Sequence, residues 1–136
     1  MKKKIVSIVL CIMFVLSMGI IGVSANNYTD TAYSFNFVNE YAPATNARAK
    51  LDDSYSYMKC NSTAYTYTAS VYARTSEFAN EFIDVSHGNV YQFSTGIYHK
   101  MTNFVKEDGN YSWAGIIGFN PDGPCVASGV WSPDYT

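Results

Sequence analysis

The chain has little of what catalytic and metal sites are usually built from. Its 136 residues include two histidines, three cysteines and four prolines. Zinc sites need three or four His or Cys ligands at short spacing, and His87 and His99 have no such company. No metal and no cofactor is therefore expected. The chain also lacks a Gly-x-Ser-x-Gly elbow, a phosphate-cradling Gly-rich loop and a His-Glu-x-x-His helix. Charged side chains are scarce, at 15%. The acids that could pair in a hydrolase, Asp52, Asp53, Asp84, Glu107 and Asp108, fall mostly in turn-forming stretches and read as solvated turn residues. Neither Asp52-Asp53 nor Asp108-Gly109-Asn110 extends into a full calcium-loop pattern. The expectation is a non-enzymatic protein.

One long hydrophobic run is present, from Ile5 to Val23. It follows Lys2-Lys3-Lys4 and ends in Val23-Ser24-Ala25. A basic end, an apolar stretch and small residues before a cut make a secretory signal peptide. The run is also long enough to span a bilayer, but the Val-x-Ala site favours removal. The expected organisation is a signal peptide over 1–25, cleaved after Ala25, and a single secreted β domain over 26–136. Removal of the three lysines leaves six basic side chains against eleven acidic ones. A net charge of about −5 makes nucleic acid and anionic lipid poor electrostatic partners. Stable membrane insertion of the mature domain is not expected either.

All twelve tyrosines lie after the signal. Strict alternation dominates this part. Tyr33, Phe35 and Phe37 share one parity, as do Tyr65, Tyr67, Ala69, Val71 and Ala73. Tyr111, Trp113, Ile117 and Phe119 form a third set, and Cys125, Ala127, Gly129 and Trp131 a fourth. A period of two puts one face on a core and one in water. Ser54–Cys60 and Val90–Phe93 are further strand candidates. Thr75–Val85 reads as a long loop or one helical turn, and Ile97–Val105 as a strand rather than a helix. Turn clusters at Asn61-Ser62-Thr63, Asp108-Gly109-Asn110 and Asn120–Pro124 divide the runs. The first and second of these predict hairpins. Three Asn-x-Ser/Thr tripeptides, at Asn27, Asn61 and Asn110, read as turns as well. The fold class expected is all-β: a small antiparallel β-sandwich or partly open barrel of about seven strands.

Two cysteines remain after processing, Cys60 and Cys125. In an oxidising compartment such a pair is expected to form a disulfide. Tyr55, Tyr57, Tyr65 and Tyr67 are the candidate ligand-stacking residues. Tyrosine offers a flat apolar ring with a polar tip, suited to a sugar ring if its strand face is exposed and to a core if it is not.

The C-terminal third carries a resemblance. Asn103-Phe104-Val105-Lys106-Glu107-Asp108-Gly109 leads into an aromatic strand. The chain then closes on Ser128-Gly129-Val130-Trp131-Ser132-Pro133-Asp134-Tyr135. Upstream, Ala47-Arg48-Ala49-Lys50 precedes Ser54-Tyr55-Ser56-Tyr57. The sequence resembles small, mostly uncharacterised secreted proteins of Gram-positive bacteria that end in Gly-x-Trp-Ser-Pro-Asp. Its layout is similar to lactococcin-type bacteriocins, which are exported β-sandwich peptides. The resemblance implies secretion and brings no catalytic residues. In the motif Gly129, Trp131, Pro133 and Asp134 read as structural, with Trp131 sealing the core and Pro133 ending strand pairing. The function expected is a secreted binding or interaction protein at a cell envelope, with an envelope glycan or a surface protein as partner. The alternatives are a bacteriocin-like toxin and a small secreted hydrolase.

Overall fold

The computed structural model describes residues 27–38 and 42–135. The expected signal peptide and its cleavage point lie outside these residues. Nine strands follow one another: β1 (Thr31–Asn36), β2 (Arg48–Ala49), β3 (Tyr55–Ser62), β4 (Tyr67–Arg74), β5 (Ile83–Asp84), β6 (Tyr91–Phe93), β7 (Tyr98–Met101), β8 (Trp113–Phe119) and β9 (Val126–Tyr135). The described residues contain no helix. Seven of the strands match the alternating runs, and the other two, β2 and β5, are only two residues long. Thr75–Val85 is turns closed by β5, and the Ile97–Val105 stretch contains strand β7.

The strands form two antiparallel sheets, so the sandwich expectation holds and no barrel closes. One sheet runs β1-β9-β3-β7. The other runs β2-β8-β4, with β5 and β6 both pairing the far side of β4. Among the described strands, β4 and β5 are the one consecutive pair that hydrogen-bonds. The two expected hairpins are therefore arches. The chain leaves β3 through Asn61-Ser62-Thr63 and crosses to the other sheet as β4. It likewise crosses from β7 to β8 past Asp108-Gly109. Turn residues set where a chain reverses, while burial of both inner faces decides whether it reverses within a sheet or between sheets.

The core fills from the two inner faces. Tyr33, Phe35 and Phe37 are buried, as are Tyr67, Ala69, Val71 and Ala73, and Cys125, Ala127 and Trp131. These three alternating sets point inward as complete stripes, except Tyr65. In β8 the large set points outward instead, and the inner face carries Ala114, Ile116 and Gly118. The reason is steric: a Cβ on Gly118 would sit 2.7 Å from Phe35 and 2.8 Å from Phe37. Large rings on β1 require small residues across the core.

Strand β9 is central to its sheet, paired to β1 on one side and β3 on the other. Gly129 is required there, since a Cβ would fall on the Lys59 carbonyl oxygen. Between Tyr57↔Ser132 and Tyr55↔Tyr135 the register slips, with three steps on β9 against two on β3. This β-bulge contains Pro133, whose missing N–H is tolerated there. Pro133 does not end pairing: β9 continues to Tyr135, and the Pro133 carbonyl accepts a 2.9 Å hydrogen bond from Ser56 Oγ. One extra residue also inverts the alternation. Without it Tyr135 would share the inward parity of Trp131; with it Tyr135 stands on the outer face beside Tyr57.

The expected disulfide is absent. Cys60 and Cys125 are both buried, free thiols. Cys60 pairs across the sheet with Gly129. Cys125 lies four residues earlier on that chain, on the order of 13 Å along it at ~3.3 Å per residue. That is beyond the roughly 7 Å Cα separation a disulfide can bridge. Cys125 Sγ instead lies 3.6 Å from Thr63 Oγ1.

Candidate functional site

Two of the segments that carry the resemblance, 47–50 and 128–135, meet in one buried corner. Lys50 Nζ donates to Asp134 Oδ1 at 2.9 Å and to the Ser54 carbonyl at 2.6 Å. Both charged side chains have no solvent exposure. Asp134 also accepts the backbone amides of Asn27 at 2.8 Å and Leu51 at 3.2 Å. Arg48 lies 5.6 Å from the Trp131 ring centre and donates to the Thr29 and Trp131 carbonyls and to Asn27 Oδ1. Burial pulls the Arg48 guanidinium below its ordinary value, opposed by the charges of Asp30 and Asp134. Trp131 is 2% exposed and belongs to the core cluster. Lys50, Asp134 and Arg48 direct these bonds to the chain's own backbone and side chains.

The four candidate stacking tyrosines do not form one patch. Tyr67 is fully buried in the core, so its ring offers no surface for stacking. Its hydroxyl lies 2.8 Å from that of Tyr33, which reaches the Lys59 carbonyl at 3.4 Å. Burial drives both phenols well above the ordinary tyrosine range. Tyr65 sits outside β4 and lies against Gly123. Tyr55 faces a separate cleft of about 320 Å³ with Asp53, Thr102 and Glu107.

Tyr57 alone enters a cluster, and its companions escaped the sequence reading. On the outer face of the four-stranded sheet, Tyr57, Tyr98, Tyr135, Tyr28 and Asp30 line a cavity of about 380 Å³. The register explains the gathering. Tyr57 lies opposite Lys100 on β7 and Ser132 on β9, which puts Tyr98 and Tyr135 at diagonal positions. Diagonal neighbours are within reach of aromatic side chains. The Tyr57 and Tyr135 rings stack at 5.2 Å and 17°, and Tyr98 is 6.1 Å from Tyr57. Lys100 Nζ lies 4.7 Å from the Tyr135 ring centre. Tyr28 and Tyr98 are 59% and 60% exposed, so the cavity is open to solvent. Tyr57 is pushed up by burial, then by the charges of Asp30, Tyr135 and Tyr98, which keeps its phenol neutral. No hydrogen bond or ion pair engages Asp30 among the described residues. Ser132 is fully buried although its register puts it on this outer face, and its hydroxyl has no partner among the described residues.

Elsewhere the chemistry is sparse. His87 stacks on Phe104 at 3.8 Å and meets Asp108 at 2.7 Å, while Ser86 Oγ donates to Asp84. No hydrogen bond joins these two pairs into a relay among the described residues. Nor do three or more His, Cys, Asp or Glu side chains gather there in a way that could hold a metal ion. A further surface groove of about 420 Å³ crosses the other sheet, lined by Tyr72, Phe82, Val90, Ile117 and Phe119 among others.

Fold and site together define a small all-β sandwich with a tyrosine-lined cavity on the outer face of one sheet. The chain matches over residues 21–135 the family DUF2712, described as a protein of unknown function, and it belongs to that family. No curated protein and no solved structure matches it.

Proposed function

We propose that this chain is a secreted, non-enzymatic binding protein, cut after Ala25, that attaches to a cell envelope through its outer tyrosine face. The observation that carries the reading is the cavity of Tyr28, Tyr57, Tyr98, Tyr135 and Asp30. Aromatic rings with polar tips, held at the rim of a rigid sheet, are the composition of recognition surfaces. Catalysis needs groups poised to exchange protons or to attack. The titratable groups at this face are the phenols, Asp30 and the side chains of Lys59 and Lys100, with no base set beside a nucleophile.

The test is sedimentation of the mature protein with isolated cell walls and with whole bacterial cells. Pelleting with walls supports the reading, and competing sugars then show whether the wall component is a glycan. Pelleting with intact cells alone transfers the weight to a membrane or protein target and to the toxin reading. Absence from both pellets refutes envelope attachment.

A further inference from the structure

We propose that the tyrosine cavity is a cage for an organic cation, an alkylammonium group of the quaternary type carried by an envelope component. The inference deepens the binding role proposed above and rests on it for the source of the ligand, though not for the chemistry of the cage.

Four aromatic rings and one carboxylate surround the same space. Aromatic ring faces carry negative potential and attract cations, most strongly where water is excluded. A quaternary ammonium suits such a lining better than a sugar or a primary amine. It needs no hydrogen-bond acceptor, and it loses less hydration on entering. Asp30 supplies a carboxylate to the lining; its charge also acts on Arg48, but no hydrogen bond or ion pair among the described residues engages it. Lys100 shows that a cation is stable against this face: its ammonium lies 4.7 Å from the Tyr135 ring centre. Lys100 is not one of the residues lining the cavity. A volume of about 380 Å³ accommodates a trimethylammonium group together with part of its tether. The bulge at Pro133 contributes directly, because it turns Tyr135 outward into the cage.

The experiment titrates the mature protein with choline and with tetramethylammonium, following tyrosine fluorescence and two-dimensional NMR shifts. The control ligand is 3,3-dimethylbutan-1-ol, a neutral isostere of choline. The cage predicts saturable binding of both cations, no saturable binding of the isostere, and shifts centred on Tyr57, Tyr98 and Tyr135. Asp30→Asn and Tyr98→Ala should each weaken binding roughly fivefold or more. Both sites are exposed, so unchanged thermal melting separates lost binding from lost folding. No binding of either cation overturns the cage, as does equal binding of the isostere. A parallel wall-pelleting arm keeps the two proposals apart. Walls that retain the protein with no response to choline sink the cage alone. Choline binding by a protein that ignores walls supports the cage and sinks envelope attachment.

Discussion

Lys50 and Asp134 form an ion pair at 2.9 Å with both side chains fully removed from solvent, tying the segment before β3 to the end of β9. Asn27, Leu51 and Ser54 complete the hydrogen bonding around the two charges. Removing one partner strands the other as a buried charge. Asp134→Ala is expected to cost about 3–5 kcal/mol in denaturant unfolding. The double variant Lys50→Met, Asp134→Leu should lose much less, because neither charge is left behind. Equal losses in the single and double variants would show that the corner tolerates an unpaired ammonium.

Trp131 packs its indole into the core under the Arg48 guanidinium. Trp131→Ala should cost about 3–5 kcal/mol and lower the melting temperature accordingly. An unchanged melting curve would mean that the ring contributes no burial.

Acid should weaken the fold through two carboxylates. For Asp52, burial opposes ionisation, but the Ser54 hydroxyl and amide and the Lys50 charge together hold it below its ordinary 3.8. For Asp84 the Ser86 hydroxyl and amide do the same, against a smaller burial effect and with help from His87. Both folded-state values are depressed, so the unfolded chain binds more protons. Their stabilisation is therefore fully present above pH 3.8 and is lost as pH falls through the lower folded values. Urea midpoints measured against pH should drop in that window, and Asp84→Asn should flatten the drop.

Tyr67 belongs to the core, and its hydroxyl bonds to that of Tyr33. Tyr67→Phe should cost about 1 kcal/mol of stability, the usual net worth of one such bond. It should leave wall retention unchanged. Loss of retention at full stability would place Tyr67 in the binding surface.

The sequence carried the strand positions well because each strand buries one face, and a period of two records that directly. It did not carry strand pairing. Asn61-Ser62-Thr63 and Asp108-Gly109 looked like hairpin turns, yet each crosses between sheets. Partners as distant as Thr31 and Trp131 are matched only when both inner faces close. The same gap hid the tyrosine cage. Tyr57 was legible as a candidate, but Tyr28, Tyr98 and Tyr135 come from three other parts of the chain. Tyr135 also stands on its face only because of the bulge at Pro133. Within β8, large and small residues exchanged their usual sides because Phe35 and Phe37 already fill the space opposite Gly118. The cysteine pair misled for a geometric reason, since shared burial places both thiols inward without bringing them together.

The most direct test compares wall retention of the mature protein with that of Tyr57→Ala and Tyr98→Ala, each verified as folded by thermal melting. The account predicts that the parent protein sediments with isolated walls and that both variants remain in the supernatant. Parent and variants pelleting alike, or none pelleting, would contradict envelope attachment through the tyrosine face.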